Sequence, residues 1–345
     1  MSNVVCVDGS WISHKSFHRA YSQIKSESFA TEDLYRDALL EKSLELSIQT
    51  LSLVCSELKP SVLSIAMDVR TPPNGMLNCA KVSGEISWKE EIVIAVKNNL
   101  TLIAPMLQVV PLYLMGVEAD SVGYWVSRKS KEELEKLFNI LLDSDYKITL
   151  VTADYDWEIC INEFTSLYNP MKKEYTTEED MIKFFGTKHY RLAHIAHRCL
   201  TSNKDGIIGI SGIGAKSSVL IRDYFYDSAS NSVKKPDLDE VEGKREKKLV
   251  QKVLDNWGHF LANWKLVDED WIFVTKYYSD LSKPVNVVLD NFCISSVRKL
   301  ESGIYNDLIW TNATRCAGKK AKLNPAKARF DRYISNRAIN KNDKT

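Results

Sequence analysis

Four short apolar runs, each leading to an acidic residue and separated by stretches of helical spacing, constrain this chain more than any other feature. Val4–Val7 runs into Asp8-Gly9, Val62–Met67 into Asp68, and Ile148–Thr152 into Ala153-Asp154. Val109–Leu114 leads to Gly116-Val117-Glu118-Ala119-Asp120, which places two carboxylates at the start of a helix. Runs this short and apolar read as buried strands. Between the first two, Leu34, Ala38, Leu39, Leu44, Leu46, Leu51 and Val54 recur at close to a helical period over 33–57. Such alternation predicts an α/β fold, a mostly parallel twisted sheet flanked by helices on both faces. Further helices are expected from about Trp88, over about 119–129 and over about 131–142. Residues 69–87, with Pro72, Pro73, Gly75 and Gly84, read as a long flexible segment. From Tyr155 onward the pattern becomes mostly helical, with a tight turn at Gly209-Ile210-Ser211-Gly212-Ile213-Gly214 and an exposed linker over 227–243.

In an open α/β sheet, binding sites gather at the carboxyl ends of the strands. A single Asp after a strand is often a helix N-cap, because its oxygen accepts orphan backbone N–H groups. Four strand ends converging with Asp8, Asp68, Glu118, Asp120, Asp154 and Asp156 are another matter. Six carboxylates so placed repel one another without a counter-charge, and hard divalent ions with oxygen ligands supply one. Two Mg²⁺ ions about 3.5–4 Å apart can hold a water nucleophile and the leaving oxygen of a phosphodiester.

Composition narrows the class. Hydrophobic content of 44% and charged content of 26% are ordinary for a soluble globular chain of 345 residues. The most apolar stretch, Leu100–Val117, is interrupted by Pro105, Gln108 and Pro111, so no membrane span is expected. The start of the chain has no basic segment or small-residue cleavage site, and the seven cysteines form no C-x-x-C pair. A cytoplasmic protein with reduced thiols is expected, in the host cytoplasm if phage-encoded. The net charge is +1, yet Arg315–Thr345 holds ten Lys and Arg against Asp331 and Asp343, a tail of +8 that leaves −7 for the rest. An acidic body with a basic tail suits a DNA binder whose carboxylates hold metal, and equally an enzyme with a solvated tail. His194 and His197, three apart with Cys199 nearby, find no fourth zinc ligand and read as a helix face. No P-loop and no nucleophile-elbow motif is present.

Taken together, these motifs resemble the flap endonuclease or 5′–3′ exonuclease family, particularly its phage and bacterial members. Val7-Asp8-Gly9-Ser10 is similar to the opening V-D-G-N/S, and Ile65-Ala66-Met67-Asp68 to the second strand and its Asp. Gly116-Val117-Glu118-Ala119-Asp120 is similar to G-x-E-A-D-D, and Thr152-Ala153-Asp154-Tyr155-Asp156-Trp157 to S/T-x-D-x-D-[WF]. The run Asp205–Lys216 resembles D-N-I-x-G-V-x-G-I-G-x-K, and Asn263–Asp268 resembles N-x-x-L-V-D. The resemblance implies a PIN-like nuclease domain over 1–170 with an arch at about 69–98. It implies a helical domain over 171–300 with a helix-three-turn-helix at about 190–226, and leaves 301–345 as a basic extension. It further implies a first metal site from Asp8, Asp68, Glu118 and Asp120 and a second from Asp154, Asp156 and Asp205. Gly209, Gly212, Ile213, Gly214, Lys216 and Ser217 would hold duplex phosphates, since closely spaced glycines let backbone N–H groups approach an anion. Lys89, after Trp88, and Lys15 would stabilise charge on the scissile phosphate.

The implied activity is structure-specific hydrolysis of DNA with two Mg²⁺ ions, for which Mn²⁺ could substitute, and a K⁺ ion at the glycine turn. Implied substrates are branched, nicked or gapped DNA with a 5′ end, with RNA primers in RNA–DNA hybrids as an extension. The setting would be replication or repair, the oligomeric state a monomer, and replisome proteins the partners. Three positions depart from the family: Ser121 stands for a second Asp, Ser202 for a carboxylate before Asp205, and Ile92 for an arch Arg. Fewer acids weaken a hard-ion site, so the alternative is a weakly active or non-catalytic DNA-junction binder. An RNA-cutting enzyme on the same acidic sheet is a third reading, disfavoured by the glycine turn.

Overall fold

The computed structural model describes residues 2–68, 87–112, 118–204 and 207–269, which form two compact units dividing between Tyr175 and Thr176. Residues 69–86, Gly116, Val117, Asp205 and the basic tail lie outside the described residues, and so do the expectations attached to them.

In the first unit β1 (Asn3–Asp8) leads directly into α1 (Gly9–Gln23), and α2 (Glu32–Leu58) precedes β2 (Val62–Ala66). Next come α3 (Trp88–Ile103), β3 (Val110–Leu112), α4 (Ala119–Ser127), α5 (Lys131–Phe138) and β4 (Lys147–Val151). β5 (Thr165–Asn169) and β6 (Glu174–Thr176) complete a six-stranded sheet of order β3-β2-β1-β4-β5-β6. β1 lies parallel to β2 on one side, Val4 beside Val62, and to β4 on the other, Val4 beside Ile148. The fold class is the one expected: an α/β, mostly parallel sheet flanked by helices.

Several helices begin where a side chain accepts one of the first free amides. Thr31 caps α2 by accepting from the Leu34 N–H, and Ser87 caps α3 by accepting from the Glu90 N–H. Ser130 and Glu133 form a reciprocal capping box on α5. The core packs β1 and β2 against α1, α2 and α3 through Val5, Val7, Ile12, Leu39, Leu51, Ile65, Val96 and Leu100. Ile92 is in this cluster, so the position where the family pattern has an arginine faces apolar neighbours here.

The second unit contains α6 (Glu178–Phe185), α7 (Tyr190–Thr201), the two-residue strands β7 (Asn203–Lys204) and β8 (Ile207–Ile208), and α8 (Ala215–Ile221). β9 (Tyr226–Asp227), β10 (Ser232–Val233), α9 (Lys244–Leu254) and α10 (Trp257–Val267) follow.

Three expectations need correction. After Tyr155 the chain adds β5 and β6 before it becomes helical; β5 gains its strand character from β4, with Leu167 beside Leu150, a pairing that local spacing does not encode. Residues 227–243 are built rather than a bare linker. Asp227 accepts from the Ala229 N–H at 3.0 Å, Asn231 takes the left-handed conformation (φ 50°), and β9 and β10 pair antiparallel. Turn-forming residues and linker residues are the same types, so composition could not separate the two. Finally, Cys6, Cys160 and Cys199 are free and buried, whereas Cys55 is disulfide-bonded. Among the described residues no helix is long and apolar enough to cross a membrane.

Candidate functional site

The strand order reverses at β1: the chain moves from β1 to β2 to β3 on one side, then returns to lay β4 on the other. A crevice at the carboxyl ends of β1 and β4 is the place where such sheets bind ligands. Asp8 ends β1 there. It is 4% exposed, caps α1 by accepting from the Trp11 N–H at 2.9 Å, and accepts from the Thr152 hydroxyl at 2.7 Å. Thr152 also accepts from the Asp154 N–H at 3.0 Å, and Asp154 accepts from the Asp156 N–H at 3.1 Å. One hydrogen-bonded chain therefore connects the acid after β1 with both acids after β4. Burial pushes the Asp8 carboxyl up to about 7; nearby Asp68 and Asp154 add to the rise, and the Trp11 and Thr152 hydrogen bonds oppose it.

Asp68 follows β2 and is held from three sides. It accepts from the Ala119 N–H at 2.6 Å, from the Ser10 hydroxyl, and from the Lys97 ammonium at 2.5 Å. Burial alone would raise its pKa, but Lys97, Ser10 and Ala119 together hold it below the ordinary carboxylate value. Its contact with the first residue of α4 ties Glu118 and Asp120, which flank Ala119, to the end of β2.

Glycines let these ends approach one another. A Cβ on Gly9 would lie 2.6 Å from the Ala66 carbonyl oxygen and inside contact distance of the Met67 sulfur. A Cβ on Gly123 would run into the Trp157 ring. Trp157, 2% exposed, is thus the packing residue of the Asp154-Tyr155-Asp156-Trp157 motif and seats α4 against it.

The six described carboxylates therefore share one edge of the sheet. Among the described residues they do not converge into a group of three or more metal-ligating side chains, and Lys97 stands as the counter-charge at Asp68. Lys97 escaped the sequence reading because its partner is 29 residues away and nothing local sets it apart from the other polar residues of α3. The two lysines that were singled out pack on aromatic rings. Lys89 sits over the Tyr21 ring at 4.4 Å, and Lys15 over the Trp11 ring at 4.6 Å. Burial and Arg19 lower the pKa of Lys15. Ser121, which replaces an acid of the family pattern, is buried, and its N–H donates to Asp120 at 2.9 Å.

In the second unit the glycine turn joins β8 to α8. Gly209 crosses the end of α7, where a Cβ would lie 2.6 Å from the Leu200 carbonyl oxygen, and Gly212 takes a left-handed conformation at φ 75°. Ile213 is buried, while Gly212, Gly214 and Lys216 are exposed and Ser217 is half-buried. The Ser217 N–H donates to the Gly214 carbonyl at 2.9 Å. Asn263 on α10 anchors the turn from behind, donating to the carbonyls of Cys199 at 3.1 Å and Ile208 at 2.8 Å. Asp268 accepts from Arg191 at 2.8 Å and from the Trp264 indole at 3.1 Å. The Asn263–Asp268 motif is thus the buttress of the turn. His194 is buried, with its pKa pushed down to about 3 by burial and Arg198, and the His197 ring lies 2.6 Å from the Ser218 hydroxyl.

No family model matches the chain. A curated 5′–3′ exonuclease of Aquifex aeolicus (strain VF5) is 28% identical over 138 residues, 40% of this chain and 43% of that protein, so the match spans less than half of the relative. Among solved structures, a bacteriophage T5 protein co-crystallised with metal ions superimposes with a TM-score of 0.54 at 13% identity, over 91% of this chain and 99% of that one. A bacteriophage T5 flap endonuclease in a pseudo-enzyme–product complex with DNA and metal ions gives 0.53 at 14% identity, over 92% and 100%. At such identities the likeness to these structures is one of fold. The chain accordingly has the PIN-like fold of the 5′ nucleases, and the resemblance to the flap endonuclease and 5′–3′ exonuclease family carried by its motifs is borne out.

Proposed function

We propose that this chain is a metal-dependent, structure-specific 5′ nuclease acting on DNA. The observation that carries the reading is Asp8: a buried carboxylate at the switch point of the sheet, hydrogen-bonded through Thr152 toward Asp154 and Asp156, with Asp68 nearby. A buried carboxylate with other acids near it is costly unless a cation compensates it. The all-oxygen donor set of these acids fits a hard divalent ion such as Mg²⁺ or Mn²⁺. Asp8, Asp68, Glu118 and Asp120 would hold one such ion, and Asp154 and Asp156 would contribute to a second. When bound, the ions supply an activated water and charge neutralisation at phosphorus. Hydrolysis joins the water oxygen to phosphorus and breaks the bond to the leaving 3′ oxygen, giving a 3′-hydroxyl and a 5′-phosphate.

The chain's own residues contribute orientation. Thr152 fixes the Asp8 carboxylate, the Ala119 N–H fixes Asp68, and Trp157 beneath Gly123 keeps Glu118 and Asp120 in place. Gly209, Gly212, Ile213, Gly214, Lys216 and Ser217 serve as the duplex contact, with Lys216 as its exposed cation. The substrates are flapped, nicked or gapped DNA, RNA primers on DNA are an extension, and replication or repair is the setting. Lys89 and Lys15 would act on the scissile phosphate. We assign 1–170 to the nuclease domain and 171–300 to the duplex-binding domain.

A second reading, a DNA-junction binder with weak or no turnover, is favoured by one observation: Lys97 already neutralises Asp68. The deciding experiment incubates the full chain with a 5′-end-labelled flap on nicked duplex, with Mg²⁺ and with EDTA. A short labelled product formed only with Mg²⁺ supports the nuclease. A gel shift without product under either Mg²⁺ or Mn²⁺ transfers the assignment to the binder.

A further inference from the structure

The duplex contact of the proposed function rests on a single turn, yet a basic helix stands beside it. α9 buries Val250 and Val253 and turns Lys244, Arg245, Lys248 and Lys252 to solvent. At 100° per residue these four cations share an arc of about 100° on the side away from the buried pair. Lys244, Lys248 and Lys252 form an i, i+4, i+8 row about 12 Å long at 1.5 Å per residue. Glu246, the one acid in the helix, lies off this arc with its carboxylate folded over Gly243.

The row is aimed at the glycine turn. The Lys252 ammonium lies 2.6 Å from where a Cβ on Gly212 would stand, so the missing side chain at Gly212 makes room for it. The ion pairs of this unit are made by other cations: Arg191 with Asp268, Arg222 with Asp223 and Lys234 with Glu240. Among the described residues, none of the four cations of this arc is neutralised by a carboxylate. Repulsion among them, at i and i+4 on one helix, is a standing cost without a bound anion.

We propose that α9 is a second phosphate-binding strip, continuous with the glycine turn through Lys252, and that its occupant is the sugar–phosphate backbone of duplex DNA. The inference rests on the DNA-acting reading above and extends it. One strand of duplex presents a charge about every 3.4 Å along its axis, so a row of about 12 Å faces three to four phosphates. The strip carries no base-reading group of its own, and its contribution is affinity and register rather than sequence.

The test uses full-length protein, EDTA and a fluorescein-labelled 20-bp blunt duplex, with anisotropy titrations over a series of KCl concentrations. The comparison is wild type, Lys244→Ala/Lys248→Ala/Lys252→Ala, and a charge-matched control, Lys136→Ala/Lys183→Ala/Lys234→Ala. Circular dichroism and thermal midpoints confirm folding of both variants, whose lysines are exposed or half-exposed on their helices and turns. Removing one lysine–phosphate pair should lower the slope of log K against log salt by about 0.9, so the α9 variant is expected to lose about 2.7 units. Its affinity at low salt should fall at least tenfold, while the control slope changes by less than about one unit. Equal slopes for wild type and the α9 variant, or an equal loss in the control, would overturn the strip. A wild-type protein that fails to bind the duplex at any salt would instead sink the DNA-acting reading itself.

Discussion

The sheet unit holds Asp8 and Asp68 away from water; the helical unit sets a row of bases in it. Asp8 is 4% exposed and the side chains of the Asp68–Lys97 pair are 12% and 13% exposed. Lys216, Lys248 and Lys252, by contrast, are exposed. A desolvated charge is expensive, so each one must be matched by particular partners in fixed positions, and its removal is felt sharply. An exposed base is inexpensive to keep, and several of them act nearly additively on a polyanion. Chemistry needs the first kind of charge and grip the second. Perturbing the two units should therefore give opposite signatures: loss of turnover and altered stability in one, graded loss of affinity in the other.

The largest effect is expected for Asp8→Asn. The amide keeps the shape and can still cap α1, but removes the charge at the centre of the site, and cleavage should fall by about 10³-fold or more. Duplex binding in EDTA should persist. Cleavage within tenfold of wild type, measured in single-turnover assays, would break the comparison at its root.

Next is Lys97→Met. Breaking a largely buried pair while leaving its carboxylate behind should cost about 3 kcal/mol in urea unfolding with EDTA present, and less with a divalent ion added. An unchanged midpoint would show that Asp68 needs no counter-charge.

Stability in EDTA should also depend on pH. The folded Asp8 carboxyl titrates at about 7, against 3.8 for the ordinary group, so within that window the folded state keeps a proton that the unfolded chain has released. Stability then falls as pH rises through the window, and the loss is complete above about 7. Asp68 is shifted the other way, and its contribution is lost only as pH falls below the ordinary carboxylate value. His194, kept neutral by burial with its pKa at about 3, acts with the opposite sign over the same window, so the test is the difference between two proteins: relative to wild type, the urea midpoint of Asp8→Asn should rise at pH 8 compared with pH 5. The same pH dependence in both proteins would contradict the assignment.

The smallest effect is expected at Lys234, whose pair with Glu240 in the helical unit is 45% and 60% exposed. Lys234→Ala should leave the urea midpoint close to that of wild type, because an exposed pair contributes little. A loss near that of Lys97→Met would erase the contrast between buried and exposed charge.

Much of the sheet unit was legible because its signals are local. A short apolar run followed by an acid marks a strand and its carboxyl end: β2 and β3 lie within the expected runs, and β1 and β4 match theirs to within one residue at either end. The glycine turn was legible for the same reason. What escaped depends on partners distant in sequence: the Asp68–Lys97 pair, the Thr152 bridge from Asp8 to Asp154, and the pairing of β5 with β4. Lys89 and Lys15 were chosen by position in a motif, and their ammonium groups rest over aromatic rings of α1 and α3. The basic row on α9 carries no motif that sets it apart in the sequence, and its meaning came from the approach of Lys252 to Gly212.

The most direct test of the acidic site measures binding and cutting on one labelled flap substrate for Asp154→Asn/Asp156→Asn beside wild type. The account predicts that the variant binds in EDTA as wild type does and yields no product with Mg²⁺, while wild type cuts. Wild-type cutting rates in the variant would contradict it, because the acids after β4 would then have no part in the chemistry.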